Sequence, residues 1–504
     1  MYQMLVDLTK PKTIRGHVDV VERSDAGTVT SKGKKKKRSR KKNGRTSSGV
    51  GSDEKLNQGV DESVDGCTIG KLFVSNRVIA MGSNGTIVFE GTYDGCRVAV
   101  KRLVKAVAFE VNLNLRISDN HPNIVRLYGT ESDQNFWYLA LERCTCSLND
   151  LIQRPTVSED QAKEVKVPKV MLWTDKGYPS TILVELMRDV VSGLVHLHGL
   201  GMFNQDLKPQ NVLIFKEGPL RAKLSDLGIS KRLVEDKSSL GDHATGKFSI
   251  PIPIQIVYCF NPIAQYLISL AVTGCGSSGW QAPLLNELQM RAVDMFSLGC
   301  VLFYCMTGGG HPLGDRLECD NNIVKQSKVD LFVVEHIPEA VDLLSCLFNT
   351  VAELRPKASE VLNHPLFWDS DTRLWFLHDV SDRLKLEERK ANSDILKALE
   401  SVSSLAFGTK WNRKMGRAFL KHIGKYRQYN YDSVHDLVRV VRNQLNHYSE
   451  LPLEIQKILG PGNEGFDGYF RSRYPKLLME VYKVMHQFCR EEERLNKYFK
   501  GSVV

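Results

Sequence analysis

The sequence predicts an α+β protein, with a β-rich lobe and a helical lobe followed by an all-α C-terminal region. Three observations carry this. Between Lys71 and Lys101, β-like runs (Val78-Ile79-Ala80 and Arg97-Val-Ala-Val-Lys101) flank a glycine-rich turn, Gly82-Ser-Asn-Gly85-Thr-Ile-Val88. Leu183 to His198 places apolar residues at helical spacing and leads into Asp206-Leu-Lys-Pro-Gln-Asn211. Beyond residue 369, Val434, Leu437, Val438, Val441 and Leu445 again repeat with a helical period. With 504 residues, 42% of them hydrophobic and 25% charged, the chain can bury more than one core. At roughly 100–200 residues per domain it should form two or three units.

The formal charge of +10 is unevenly placed. Residues 31–45 carry ten Lys/Arg and no acid among Gly, Ser and Asn, which reads as a disordered basic tail within 1–70. Such a run suits attraction to anionic lipid, RNA or the nucleus. Residues 401–504 hold 18 basic and 10 acidic side chains, so this segment is the one expected to face a polyanion. Eleven cysteines without a paired CxxC pattern argue for reduced thiols in the cytosol or nucleus rather than a zinc site. Lys10, Lys12 and Arg15 stand among acids with no sustained apolar run, so neither a signal peptide nor a spanning helix is predicted there.

Taken in order, the motifs describe a nucleotide site. Gly82 and Gly85 let backbone amides drape over phosphates, and Val88 follows them on the next strand. Lys101 supplies the ammonium that grips the α- and β-phosphates. Glu110 is the nearest carboxylate to orient Lys101, a solvated helix glutamate being the alternative. Leu139-Ala-Leu-Glu142-Arg-Cys144 reads as a strand and hinge over adenine. Asp206 accepts or orients the proton of a substrate hydroxyl, Lys208 neutralises the transferring phosphoryl group, and Asn211 with Asp226 of Asp226-Leu-Gly228 holds magnesium. Gly279-Trp-Gln-Ala-Pro283, Asp294-Met-Phe-Ser-Leu-Gly299 and Arg355-Pro356 follow. This succession resembles protein kinases, which implies a bilobal protein-kinase fold over 71–368 with ATP and Mg2+ as cofactors.

Departures from that pattern are equally specific. Asn204 and Gln205 stand where kinases carry His-Arg, so no arginine is present there to read activation-loop phosphate. Ala80 replaces the first loop glycine, Leu227 the usual Phe, and Leu284 the glutamate that ordinarily pairs with Arg355. Nucleotide and metal ligands are intact while their supports are altered. A pseudokinase scaffold whose nucleotide site regulates the rest of the chain therefore stands beside an active Ser/Thr kinase. Residues 247–274 form an Ile-, Pro- and aromatic-rich insertion, broken by Pro251, Pro253 and Pro262. Crossing a membrane needs about 20 uninterrupted apolar residues. We read the insertion as translated intron, since Gly246-Lys-Phe can be encoded as the donor-like GGTAAGTTT and Thr273-Gly274 as the acceptor-like ACAGGN. A genuine flexible insertion is the alternative.

In the C-terminal region, Arg439, Asn443 and His447 recur every four residues and so share a helix face, with Arg442 beside them and Tyr429 upstream. Polar residues opposite an apolar stripe are ordinarily a solvated face. Their chemistry nevertheless coheres: a histidine titrating near neutrality, a phenol, an arginine and an amide suffice for metal-free RNA cleavage by the 2′-hydroxyl.

After the kinase motifs come Trp368-Asp-Ser-Asp-Thr-Arg-Leu-Trp-Phe-Leu377, Lys410-Trp411, Tyr429, Asp436-Leu-Val-Arg-Val-Val-Arg442-Asn443, His447-Tyr448 and Glu450-Leu-Pro452. Over about 70–495 this order resembles the inositol-requiring-enzyme family, kinase/endoribonucleases that sense unfolded protein at the endoplasmic reticulum, in a plant-like form. The resemblance implies that 369–497 is a helical endoribonuclease domain whose catalytic residues are Tyr429, Arg442, Asn443 and His447, with no metal. It further implies cleavage of stem-loop mRNA in the unfolded-protein response. Nucleotide occupancy and trans-autophosphorylation would favour a back-to-back homodimer or higher oligomer. Family members begin with a lumenal sensor and a transmembrane helix, and 31–45 looks like their juxtamembrane linker. As written, the chain is expected to be a sensor-less paralogue or an incomplete gene model. It would be cytoplasmic, with peripheral contact to anionic endoplasmic reticulum membrane through 31–45, worth roughly 1 kcal/mol per basic residue. A cytosolic Ser/Thr kinase with a helical interaction tail is the further alternative.

Overall fold

The computed structural model describes residues 65–81, 86–105, 121–153, 170–227, 231–232, 279–282, 290–314, 318–324, 329–390 and 392–500. Gly82, Gly85, Glu110, Leu284, the basic run at 31–45 and the insertion at 247–274 lie outside them. Apolar residues alternating along the chain between Leu72 and Ala140 build a six-stranded antiparallel sheet from β1 (Gly66–Ile69), β2 (Leu72–Met81), β3 (Ile87–Tyr93), β4 (Cys96–Val104), β5 (Leu127–Ser132) and β6 (Phe136–Glu142). The strand order is β1-β2-β3-β4-β6-β5. Leu72, Val74, Val98, Val100, Tyr138 and Ala140 pack together from one face, as a period of two requires. Val88, Lys101 and Leu139 stand opposite one another across β3, β4 and β6, so they share the other face. The stretch 1–70 expected to be tail needs one correction: Gly66–Ile69 is a strand, paired with Leu72–Ser75 through a hairpin in which Gly70 takes the left-handed φ of 59°.

The second lobe is helical. It holds β7 (Cys146–Ser147), α1 (Leu148–Gln153), α2 (Thr181–Gly199), β8 (Met202–Phe203), β9 (Val212–Phe215), β10 (Arg221–Leu224), β11 (Lys231–Arg232), α3 (Met290–Thr307), α4 (Cys319–Val324), α5 (Pro338–Leu347) and α6 (Ala358–Leu362). Helix α2 starts where the Ser180 hydroxyl accepts from the Leu183 amide, and it buries Leu183, Leu186, Met187, Val190, Val191, Leu194 and Leu197. A Cβ at Gly193 would sit 2.9 Å from the Asn123 carbonyl oxygen and from Leu224, so glycine there allows α2 to press against β10.

From Ser370 to Phe499 the described residues form helices and no strand: α7 (Ser370–Glu387), α8 (Asp394–Ser401), α9 (Ser403–Phe407), α10 (Arg417–Ile423), α11 (Val434–Asn446), α12 (Leu453–Leu459), α13 (Gly462–Arg473), α14 (Leu477–Cys489) and α15 (Glu493–Phe499). Their shared core contains Leu374, Phe376, Val380 and Leu384 of α7 and the predicted stripe of α11, in which Val434, Leu437, Val438 and Val441 are fully buried. No helix among the described residues is long and apolar enough to cross a membrane.

The apolar clusters of the helical lobe and the C-terminal region are separate, and charged side chains link them. Arg373 of α7, 5% exposed, reaches Glu339 of α5 at 2.7 Å and Asp467 of α13 at 3.3 Å. Burial pushes both carboxyls up. The charges of Arg373 and Arg471 outweigh it at Glu339, which falls below its ordinary value, but not at Asp467, which stays above. Removing one member of such a buried set costs about 3–5 kcal/mol, because it strands the opposite charge. Urea denaturation of Arg373→Met should show a loss of that order, and a change below about 1 kcal/mol would show that the junction does not hold the two regions together.

Candidate functional site

The nucleotide-type site gathers around residues 204–211, the expected catalytic loop, and Asp294 of α3 builds that loop. Its buried carboxylate accepts the backbone amides of Asn204 and Gln205, both at 2.8 Å, and lies 3.0 Å from His198 Nε2. Gln205 and Asp226 have positive φ, 62° and 54°, a conformation that side chains other than glycine adopt only where the surroundings impose it. Asp206 is thereby set beside Lys208 Nζ at 2.7 Å and Asn211 Nδ2 at 2.8 Å. Lys101 Nζ donates to Asp226 Oδ1 at 2.6 Å, bringing the strand cation to the carboxylate of the Asp226-Leu-Gly228 motif. Asn211 commits its NH2 to Asp206 and keeps its amide oxygen as an acceptor, so Asn211 and Asp226 offer hard oxygen ligands of the kind Mg2+ takes.

At the hinge the geometry separates two expected ligands. Glu142 turns its side chain away from the strand face of Lys101: it pairs with buried Lys223 at 2.9 Å and accepts the Arg126 amide at 3.2 Å. Only its backbone remains for adenine. Cys144 is half-buried, and burial pushes its thiol up to about 12, so it is no nucleophile there. Asn204 Oδ1 caps the Asp206 amide at 3.1 Å. Arg355 hydrogen-bonds the carbonyls of Asn349 and Ala292 and lies over the Phe296 ring.

In the C-terminal region α11 is the organising element. The Ser433 hydroxyl caps it through the Asp436 amide, and Glu400 of α8 receives the Val434 and His435 amides at 2.8 and 3.2 Å, placing negative charge at the helix N-terminus. Asp436 Oδ2 accepts the Asn430 amide at 2.7 Å and the Trp411 indole donates to the Asn430 carbonyl at 3.1 Å, which pins the loop carrying Tyr429. Tyr429, Asn443 and Arg442 then join: Asn443 Nδ2 donates to the Tyr429 oxygen at 3.2 Å and Arg442 Nη1 to Asn443 Oδ1 at 2.9 Å. His447 closes the helix as its C-cap, exposed, with Nδ1 3.0 Å from Glu450.

Arg439 does not belong to this group. It is 4% exposed, held by Glu388, Asp436 and His435, so the four-residue spacing that aligned it with Asn443 and His447 marked a buried ion pair. Sequence reasoning placed Asp294 and Glu450 only within motifs, without their contacts, and missed Glu400 and Asp382, the last lying 3.0 Å from Arg442 Nη2. Only the short spacing of Glu450 from His447 carried a local signal.

Comparisons with known proteins agree with this division. Residues 73–367 match the family described as Protein kinase domain, and residues 373–499 the family described as Ribonuclease 2-5A. Serine/threonine-protein kinase/endoribonuclease IRE1a of Arabidopsis thaliana is 52% identical over 467 residues, which cover 88% of this chain and 52% of that relative. IRE1 of Oryza sativa subsp. japonica is 47% identical, covering 89% of this chain and 47% of the relative. The Arabidopsis protein named inactive serine/threonine-protein kinase/endoribonuclease IRE1-like is 38% identical, covering 85% of this chain and 78% of the relative. The chain spans about half the length of IRE1a and of the rice protein.

Burial would raise the Asp382 carboxyl, but hydrogen bonds from Lys385 and Arg494 and the charge of Arg442 hold it at about 2. An unfolded aspartate titrates near about 3.9, so the stabilisation is complete above that value and is lost as pH falls toward the folded one. Asp382→Asn should therefore lose stability less steeply between about pH 5 and pH 2 than the unaltered chain; superimposable acid-unfolding profiles would contradict this.

Proposed function

Because this chain belongs to the IRE1 family of serine/threonine-protein kinase/endoribonucleases, we propose that it is both a Ser/Thr kinase and a metal-independent endoribonuclease, in which nucleotide binding regulates cleavage of stem-loop mRNA. The observation that carries the reading is the hydrogen-bonded run Arg442–Asn443–Tyr429 with His447 exposed at the end of the same helix. In the reaction a 2′-hydroxyl oxygen bonds to the adjacent phosphorus and the P–O5′ bond breaks, leaving a 2′,3′-cyclic phosphate and a 5′-hydroxyl. One group takes the 2′ proton and another returns a proton to the departing oxygen. His447, steadied at Nδ1 by Glu450, presents Nε2 for one transfer, and the Tyr429 phenol serves the other. Arg442 neutralises charge growing on the phosphoryl oxygens.

In the kinase half, Lys101 and the turn at Gly82 and Gly85 hold ATP phosphates, Val88 and the Glu142–Cys144 backbone enclose adenine, and Glu110 orients Lys101. Asn211 and Asp226 would hold Mg2+, which would supply charge neutralisation between phosphates when bound. Asp206 receives the proton of the attacking hydroxyl and Lys208 faces the phosphoryl group. Assembly as a back-to-back homodimer, a role in the unfolded-protein response and peripheral attachment of 31–45 to anionic endoplasmic reticulum membrane belong to the same proposal.

A second reading, a scaffold that binds nucleotide without transferring phosphate, is favoured by Gln205 and Ala80 at altered support positions and by the relative named inactive. Autophosphorylation with radiolabelled ATP, abolished by Asp226→Ala, would exclude it. For the nuclease, a stem-loop RNA should be cut to 2′,3′-cyclic ends with a chelator present, and His447→Ala should lower the rate by about 10²–10⁴-fold. Cleavage indifferent to His447→Ala, or none without added metal, would defeat the proposal.

A further inference from the structure

We propose that Asp382, on α7, is a positioning residue for RNA cleavage: it fixes the Arg442 guanidinium so that the hydrogen bonds from Arg442 through Asn443 to Tyr429 run in one direction only. The inference rests on the nuclease reading above and deepens it. A carboxylate only accepts and a guanidinium only donates. Asp382 Oδ1 lies 3.0 Å from Arg442 Nη2, and Arg442 Nη1 donates to Asn443 Oδ1 at 2.9 Å. Facing a pure donor, the Asn443 oxygen must accept, so its NH2 turns to Tyr429, 3.2 Å away. The Tyr429 oxygen is then an acceptor within the protein, and its own proton points outward for a phosphate or departing oxygen. Were Arg442 to swing free, the amide could flip and draw that proton inward, removing Tyr429 as a donor.

The surroundings of Asp382 suit this role. Lys385 Nζ donates to Oδ1 at 2.7 Å and Arg494 Nη2, from α15, to Oδ2 at 2.9 Å. Three cations share one carboxylate, so the group stays ionised and accepting. The Arg442 side chain is 23% exposed, leaving part of its fork for substrate while the rest is held.

The test uses the full chain, a stem-loop RNA and three variants: Asp382→Asn, Asp382→Glu and Arg494→Ala. Asp382→Asn keeps the size but lets an NH2 face Arg442; its kcat should fall about 10²-fold, as when a preorganised donor is lost, with KM for RNA moving less than about threefold. Asp382→Glu keeps the charge and should recover part of that loss. Arg494→Ala removes an equally close partner of the same carboxylate that is not in line with Arg442, and should cleave within about threefold of the unaltered chain. If the unaltered chain cleaves and Asp382→Asn cleaves equally well, Asp382 has no positioning role although the nuclease reading stands. Equal losses in Asp382→Asn and Arg494→Ala would reduce it to an anchor for α15 and overturn the proposal. An unaltered chain that leaves RNA intact overturns the nuclease reading, and this inference with it.

Discussion

The buried Arg373 guanidinium, shared between Glu339 and Asp467, is the interaction on which the relation of the two halves depends. The apolar cores on either side close upon themselves, and what joins them is largely polar: Arg373, Lys483 with Asp342 at 3.0 Å, Arg490 with Glu360 at 3.4 Å, and Arg471 over the Tyr178 ring. Buried ion pairs add little net stability compared with apolar filling, yet they tolerate misalignment poorly because each mismatch leaves a desolvated charge. The junction is therefore better understood as setting orientation than as glue. Helix α7 passes that orientation on, since it holds Arg373 at one end, packs along α11, and carries Asp382 toward Arg442 at the other.

Both sites use the same smaller device, a carboxylate that captures backbone amides. Asp294 takes two amides of the catalytic loop, Glu400 two at the start of α11, and Asp436 one from the loop of Tyr429. Backbone capture does not depend on which side chain the captured residue bears. Asn204 and Gln205 can therefore replace the usual His-Arg without collapsing the loop, while the phosphate-reading capacity of the arginine is gone. Asp206, Lys208 and Asn211 remain within hydrogen-bonding distance of one another.

Periodicity made the elements legible. The alternation of Val98 and Val100, the long apolar run of α2 and the stripe of α11 all gave the right element in the right place. Motif order brought Lys101, Asp206, Asn211 and Asp226 to one site, and spacing put Asn443 and Arg442 within reach of Tyr429. Partners were not legible. A period of four says which residues share a face but not what covers it, so Arg439 was grouped with Asn443 when Glu388 had in fact buried it. Asp382 and Glu400 stand far from α11 in sequence, and nothing local distinguishes them from solvated helix carboxylates. Glu142 shows the same limit at the hinge, where Lys223 arrives from β10.

If the junction makes one mechanical body of kinase and nuclease, the two should open together. Hydrogen exchange measured along a shallow denaturant series can follow the amides of α5, which holds Glu339, and of α7 and α11 in the same sample. A common opening free energy with a common denaturant slope is the predicted result. Loss of protection in α7 and α11 at distinctly lower denaturant than in α5 would show two bodies that merely touch, and would contradict the coupling on which this account of a nucleotide-regulated nuclease rests.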